Sequence, residues 1–294
     1  MSRPHGIIPA MVTPFNPSDG NLNESALREL TNYLIDGGVH GLFVVGSQGE
    51  FWALSADEKK RAWEVVLDET NGRVPVYAGT AAITTRETVQ LTQLAEKVGV
   101  DAVSVLSPFF LKPSEEELYS HYREVAASTK VPVLLYGNPA RTGVQLTPSL
   151  VSRLAEIENI VGIKDSSAQL ELTMQYILGT PEDFAVIMGR DSMIFAALMA
   201  GAEGAIAATG NVVPKLVVDI YENLKRGDID AAREAQLKLF PLRAAFTWGT
   251  FPVVIKEALN LMGIEAGPAR SPVGPMPEEQ RKRLKDLLRK MGVI

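Results

Sequence analysis

The sequence contains no cysteine. That excludes disulfides, thiolate nucleophiles, iron–sulfur clusters and thiolate-held metals, and it fits a reducing cytoplasm. Only three histidines occur, His5, His40 and His121. Their spacing offers no ligand pair, so no catalytic metal is expected. No apolar run reaches the ~18 residues of a membrane span, and the N-terminus lacks the charged-then-apolar order of an export signal. Basic charge is also scarce. Against 35 Asp and Glu stand 29 Lys and Arg, for a net charge of −6, which gives no basis for a nucleic-acid surface. One basic run, Arg281-Lys282-Arg283, is interleaved with Leu284, Leu287 and Leu288 and reads as the solvated face of an amphipathic helix. A cytoplasmic globular protein is the expectation, with neither nucleic acid nor membrane as partner.

What is present is a regular beat of short apolar runs, at 6–11, 41–45, 74–78, 102–106, 131–136, 160–163, 184–188 and 204–207. They are rich in Val, Ile and Ala and too short for helices, which suits parallel strands buried on both faces. Segments with helical periodicity lie between them. Ser55…Glu58, Thr84…Glu87 and Ser114…Glu117 match capping boxes, and Thr147-Pro148 places a cap before a first-turn proline. Gly37-Gly38, Gly99 and Gly201 mark helix ends.

Eight strands alternating with helices predict a (β/α)₈ TIM barrel. A doubly wound open sheet would produce the same alternation, but no GxGxxG follows the first strand. Beyond the eighth run the chain reads as helices at 212–225, 229–246, 252–262 and 277–291. The expected division is therefore a catalytic barrel, 1–225, and a C-terminal helical region, 226–294.

Barrel chemistry sits at the C-terminal ends of strands. Lys164 ends the sixth run, behind Ile160-Val161-Gly162-Ile163. A lysine desolvated there has a lowered pKa and yields the neutral amine that attacks ketones. A rim ion pair with Glu50 or Asp191 accounts for it equally well. Tyr136 ends the fifth run, where it is either a proton shuttle or a packed rim residue. Gly46-Ser47-Gln48-Gly49-Glu50 ends the second run, and the free N–H groups of such a turn suit a carboxylate. Gly189-Arg190-Asp191 after the seventh run is a weaker signal.

With these three features in place, the sequence resembles the dihydrodipicolinate synthase and N-acetylneuraminate lyase superfamily of class I pyruvate aldolases. The resemblance covers nearly the whole chain. It is carried by the turn 46–50, by Tyr136-Gly-Asn-Pro-Ala-Arg-Thr-Gly143 and by Gly162-Ile-Lys-Asp-Ser166. It implies a (β/α)₈ barrel with a helical C-terminal part, a homotetramer, and no cofactor beyond the covalent lysine imine. Lys164 matches the Schiff-base lysine, Tyr136 the proton-shuttling tyrosine, and Ser47 the hydroxyl that binds the pyruvate carboxylate and relays protons. Arg141 matches the arginine that holds an acceptor carboxylate. Gly46, Gln48, Gly49, Ser166, Gly189 and Ile206 fall at substrate-binding positions. Two departures stand out. Gln48 replaces a second threonine, and Phe110 replaces a tyrosine that one subunit lends to the next, so Phe110 is expected at an intersubunit contact. Ile83, Lys59 and Phe109 replace the amide, histidine and tyrosine of the family's lysine-feedback site.

The expected function is a pyruvate lyase or aldolase acting on a small 4-hydroxy-2-oxo or 2-keto-3-deoxy acid. The alternatives are condensation of pyruvate with aspartate semialdehyde, as in dihydrodipicolinate synthase, or dehydration of a keto-deoxy sugar acid. A non-catalytic barrel that binds oxo acids is the reading from a different class.

Overall fold

The computed structural model describes residues 3–294. Eight parallel strands form one sheet: β1 (Gly6–Pro9), β2 (Leu42–Val44), β3 (Val76–Gly79), β4 (Ala102–Leu106), β5 (Val133–Gly137), β6 (Ile160–Asp165), β7 (Ala185–Met188) and β8 (Gly204–Ala207). The order is β1-β8-β7-β6-β5-β4-β3-β2. A parallel bridge between Ala10 and Phe43 brings the two edges together, supported by the Met11 N–H to the Phe43 carbonyl at 2.9 Å. The result is a (β/α)₈ barrel, as expected, and the open doubly wound sheet is set aside.

Side chains alternate across each strand, so the apolar runs fill two compartments. Ile8, Phe43, Tyr77, Leu134, Ile187 and Ile206 pack inside the barrel. A larger set, including Leu30, Trp63, Val66, Val105 and Val186, packs between strands and helices. Capping boxes at Ser55 and Ser114 are complete. At Thr84 only half forms: its hydroxyl accepts from the Glu87 N–H at 3.2 Å, with no bond returned by the Glu87 side chain. Gly37 stays right-handed and Gly38 takes the positive φ, +82°.

Three long helices follow the barrel helix Pro214–Lys225: Ile229–Ala244, Val253–Met262 and Glu278–Lys290. Leu284 and Leu288 of the last are fully buried. Its basic run is half-engaged, with Arg281 paired to Glu257 at 2.6 Å and Arg283 stacked on Trp248.

Lys256, on Val253–Met262, reaches under the barrel mouth and is 1% exposed. Its ammonium donates to Glu50 Oε1 at 2.8 Å and to the carbonyls of Thr13 and Pro268 at 2.8 and 2.7 Å. The other Glu50 oxygen accepts from the Arg270 N–H at 2.9 Å. This buried pair ties the C-terminal helices to the turn after β2. Glu50 is therefore not the partner of Lys164, and the rim ion-pair reading of that lysine loses its first candidate.

Candidate active site

Tyr136 and Lys164 are register partners on the adjacent strands β5 and β6, so both side chains leave the sheet on the same side at the same height. Each is one residue short of its strand's end, because pairing continues through Gly137 and Asp165. Lys164 is 3% exposed. Its ammonium lies 4.1 Å from the centre of the Tyr136 ring and 4.7 Å from that of Phe43, and no carboxylate pairs with it among the described residues. Asp191, the second candidate partner, instead accepts from the Thr209 N–H at 2.7 Å. Burial holds the Lys164 pKa below the ordinary lysine range, against the opposing pull of Tyr136 and Asp191. An apolar strand behind, aromatic faces around and no counter-ion make an amine that gives up its proton readily.

The Tyr136 hydroxyl is the hub of a small network. It lies 3.3 Å from Ser47 Oγ and accepts from Asn138 Nδ2 at 3.1 Å. Burial, the largest single effect, raises its pKa. The charge of Lys164 and the hydrogen bonds from Ser47, Asn138 and Ser166 outweigh it and leave the phenol below its usual value. Tyr136 is thereby placed to exchange protons with both Lys164 and Ser47.

The turn 46–50 is held in unusual backbone. Val45 before it and Glu50 at its end have φ of +61° and +56°, a region that β-branched and bulky side chains rarely occupy. The buried Lys256–Glu50 pair anchors one end of this strained turn. The Thr13 hydroxyl donates to the Gly49 carbonyl at 2.6 Å and holds the middle. Neither the Ser47 nor the Gln48 N–H has a partner among the described residues, which leaves both for an anion. Gln48 is 3% exposed, and both polar atoms of its amide are unpaired.

A cavity of about 340 Å³ opens at the C-terminal ends of the strands. Lys164, Tyr136, Ser47 and Gln48 line its inner end, with Ser166, Gly189 and Ile206. A side chain at 189 would stand 2.0 Å from Ser166 Oγ, so only glycine fits beside that hydroxyl. Arg141, at the end of the short helix Pro139–Thr142, stands at the outer wall with its guanidinium 3.9 Å from the Phe251 ring centre. Gly46 and Gly49 shape the turn and do not line the cavity. Phe110 does not line it either: it is 95% exposed, on backbone with φ +76°.

Several lining residues were not anticipated. Asn138 lies within the stretch Tyr136–Gly143, whose pattern gives it no role of its own. Arg190 belonged to the weak signal after the seventh run. Arg243 and Phe246, from Ile229–Ala244 and the turn after it, carried no signal at all, and neither did Phe251. Nothing local in sequence shows that a helix outside the barrel folds back over its mouth.

The model of the Dihydrodipicolinate synthetase family matches residues 3–291. A 4-hydroxy-tetrahydrodipicolinate synthase of Methanopyrus kandleri is 39% identical over 290 residues, covering 98% of this chain and 97% of that one. Among solved structures, a dihydrodipicolinate synthase of Thermotoga maritima superposes with a TM-score of 0.97 at 33% identity, over 100% of both chains. YagE, a prophage protein of the same family from E. coli K12 solved with pyruvate, gives a TM-score of 0.95 at 36% identity over 99% of each chain. Agreement along the full length, in sequence and in backbone, leaves one conclusion: the chain belongs to the dihydrodipicolinate synthetase family.

Proposed function

We propose that Lys164 is the Schiff-base residue of this pyruvate-dependent class I lyase, with Tyr136 and Ser47 as its proton carriers. The observation that carries the reading is a buried lysine without a counter-ion, 4.1 Å from the ring of a tyrosine whose hydroxyl lies 3.3 Å from a serine at the cavity floor. The neutral amine attacks C2 of a 2-oxo acid. Tyr136 gives a proton to the departing hydroxyl, and water leaves from the carbinolamine. The N–H groups of Ser47 and Gln48 take the carboxylate, and Ser47 Oγ returns protons to Tyr136.

The protonated imine is an electron sink. In cleavage, Tyr136 takes the C4 hydroxyl proton, the C3–C4 bond breaks toward the imine nitrogen, and an aldehyde departs. The remaining enamine takes a proton at C3, and hydrolysis releases pyruvate and frees the amine. Condensation runs the same steps backwards. No organic cofactor or metal enters this scheme.

Arg141 favours a partner with a second acidic group, since its planar fork pairs with a carboxylate bidentately. A small 4-hydroxy-2-oxo or 2-keto-3-deoxy acid meets that requirement where its far end carries such a group. The names of the relatives favour a second reading, condensation of pyruvate with aspartate semialdehyde. Phe110, an apolar ring fully presented to solvent on strained backbone, supports a contact with another copy of the chain, in keeping with a homotetramer.

Borohydride reduction in the presence of pyruvate tests the central claim. The expected result is one adduct, on Lys164, that is absent in Lys164→Ala. An intact Lys164→Ala that retains the parent's turnover overturns it.

A further inference from the structure

The outer wall of the cavity carries three guanidiniums. Arg141 comes from the helix after β5, Arg190 from the loop after β7, and Arg243 from the C-terminal helix Ile229–Ala244. None is ion-paired, and none of the three side chains donates a hydrogen bond within the described chain, although Arg190 and Arg243 are half-buried. Two are held by rings: Arg141 lies 3.9 Å over Phe251, and Arg243 lies 4.6 Å over Phe246. Stacking fixes the plane of a guanidinium and leaves its N–H edge for a ligand. Burial first, and the charge of Arg190 after it, hold Arg141 and Arg243 below the usual arginine range. Tyr136 and Asp191, respectively, oppose that shift. The charge of Arg190 therefore bears on both of the others.

This wall is hostile to an ammonium group. The only carboxylate on the cavity lining is Asp191, and it is 4% exposed and committed to Thr209. An amino aldehyde would bring a positive charge toward three others with no free carboxylate to meet it. Nearer the amine, the unpaired amide of Gln48 offers one donor and one acceptor, which suits a hydroxyl on the carbon chain.

We propose that the partner of pyruvate in this site is a hydroxyaldehyde whose far end is a phosphate monoester. Its dianion meets the N–H edges of Arg141, Arg190 and Arg243, its hydroxyl meets Gln48, and its carbonyl carbon faces the enamine on Lys164. A monoanionic carboxylate would leave two of the three charges unanswered. The inference rests on the pyruvate-lyase reading and narrows it.

The test is condensation with pyruvate, measured by product mass, for four aldehydes: glyceraldehyde 3-phosphate, glyceraldehyde, succinic semialdehyde and aspartate semialdehyde. The expected kcat/KM for the phosphate ester exceeds each of the others by about tenfold or more, the value of one charge-assisted pairing. Arg190→Gln and Arg243→Gln should each reduce that preference about tenfold, and Arg243→Lys should recover part of it. A phosphate ester no better than glyceraldehyde overturns the inference, as does a semialdehyde that equals it, or folded variants that keep the parent's preference. The panel on the parent decides the matter even where a variant does not fold. Borohydride trapping of pyruvate is scored beside it. A parent that forms the Lys164 adduct yet shows no preference refutes only the phosphate site. A parent that forms no adduct refutes the lyase reading beneath it.

Discussion

Removing the Lys256 ammonium while leaving Glu50 in place should be among the most damaging single changes to stability in this chain. In Lys256→Met, Glu50 keeps only the Arg270 N–H for its two oxygens, at 0% exposure. The carbonyls of Thr13 and Pro268 lose a donor as well. Stranding one partner of a buried pair costs about 3–5 kcal/mol. For a chain this long, each kcal/mol lowers Tm by roughly 2 °C, so a fall of about 6–10 °C is expected. Glu50→Gln should cost a similar amount by stranding the lysine. The double variant Lys256→Met/Glu50→Gln should lose clearly less than the sum, because neither charge is then buried alone. Thermal and urea unfolding of the four proteins measure this directly. Single variants within about 1 kcal/mol of the parent, or strictly additive losses, would show that the pair does not act as a unit. The pH dependence has a fixed sign. Burial, against the pull of Glu50, lowers the Lys256 pKa from 10.5 to about 8. Between those values the unfolded chain holds a proton that the folded one has released, so this group's contribution to stability rises with pH across that window. It is least favourable below pH 8, and Lys256→Met should remove the slope.

Three further outcomes are expected. Tyr136→Phe should lower kcat by about 10²–10⁴-fold, the usual worth of a positioned proton carrier, with pyruvate trapping on Lys164 slowed in parallel; an undiminished kcat would remove Tyr136 from the mechanism. Gly189→Ala brings a methyl to 2.0 Å from Ser166 Oγ and 2.9 Å from the Asp165 carbonyl, so unfolding should show a loss of about 1–3 kcal/mol, and a neutral result would mean that the end of β6 yields freely. The Arg270 guanidinium beside Glu58 holds that carboxyl down at about 2, from 4.5, so its stabilisation is present above pH 4.5 and lost as pH falls toward 2; urea melts of Glu58→Gln over that range should lack this slope.

The barrel was legible because buried parallel strands leave continuous apolar runs, and the runs at 102–106 and 204–207 match β4 and β8 at both ends. Elsewhere the run and the ladder part company for physical reasons. The first run continues to Met11, but the paired ladder with β8 ends at Pro9, after which the Ala10 N–H still donates to the Ala207 carbonyl while Ala10 bridges to Phe43 on its other edge. The fifth begins at Val131, but Pro132 has no N–H to donate, and the ladder starts at Val133 beside a register shift. At β6 the error is reversed. Apolarity stops at Ile163, and pairing runs on through Lys164, which the strand presents to the cavity, and Asp165, whose carboxylate accepts from the Thr173 hydroxyl and the Ser167 N–H. Lys164, Tyr136 and the turn 46–50 could be read because each follows a recognisable strand. The Lys256–Glu50 pair joins residues 206 positions apart, and Arg243 reaches the cavity from outside the barrel. Neither leaves any mark on a local pattern.

That Arg243, Phe246 and Phe251 all come from beyond β8 has an evolutionary consequence. The proposed imine-forming groups, Lys164 and Tyr136, sit on β6 and β5, where a change disturbs the adjacent strands of the sheet. Part of the outer wall belongs to the tail, where Arg243, Phe246 and Phe251 stand apart from the Lys256–Glu50 anchor and can be exchanged while the strands keep their places. A lineage built this way can inherit one reaction and acquire new substrates by editing wall residues that take no part in the imine chemistry.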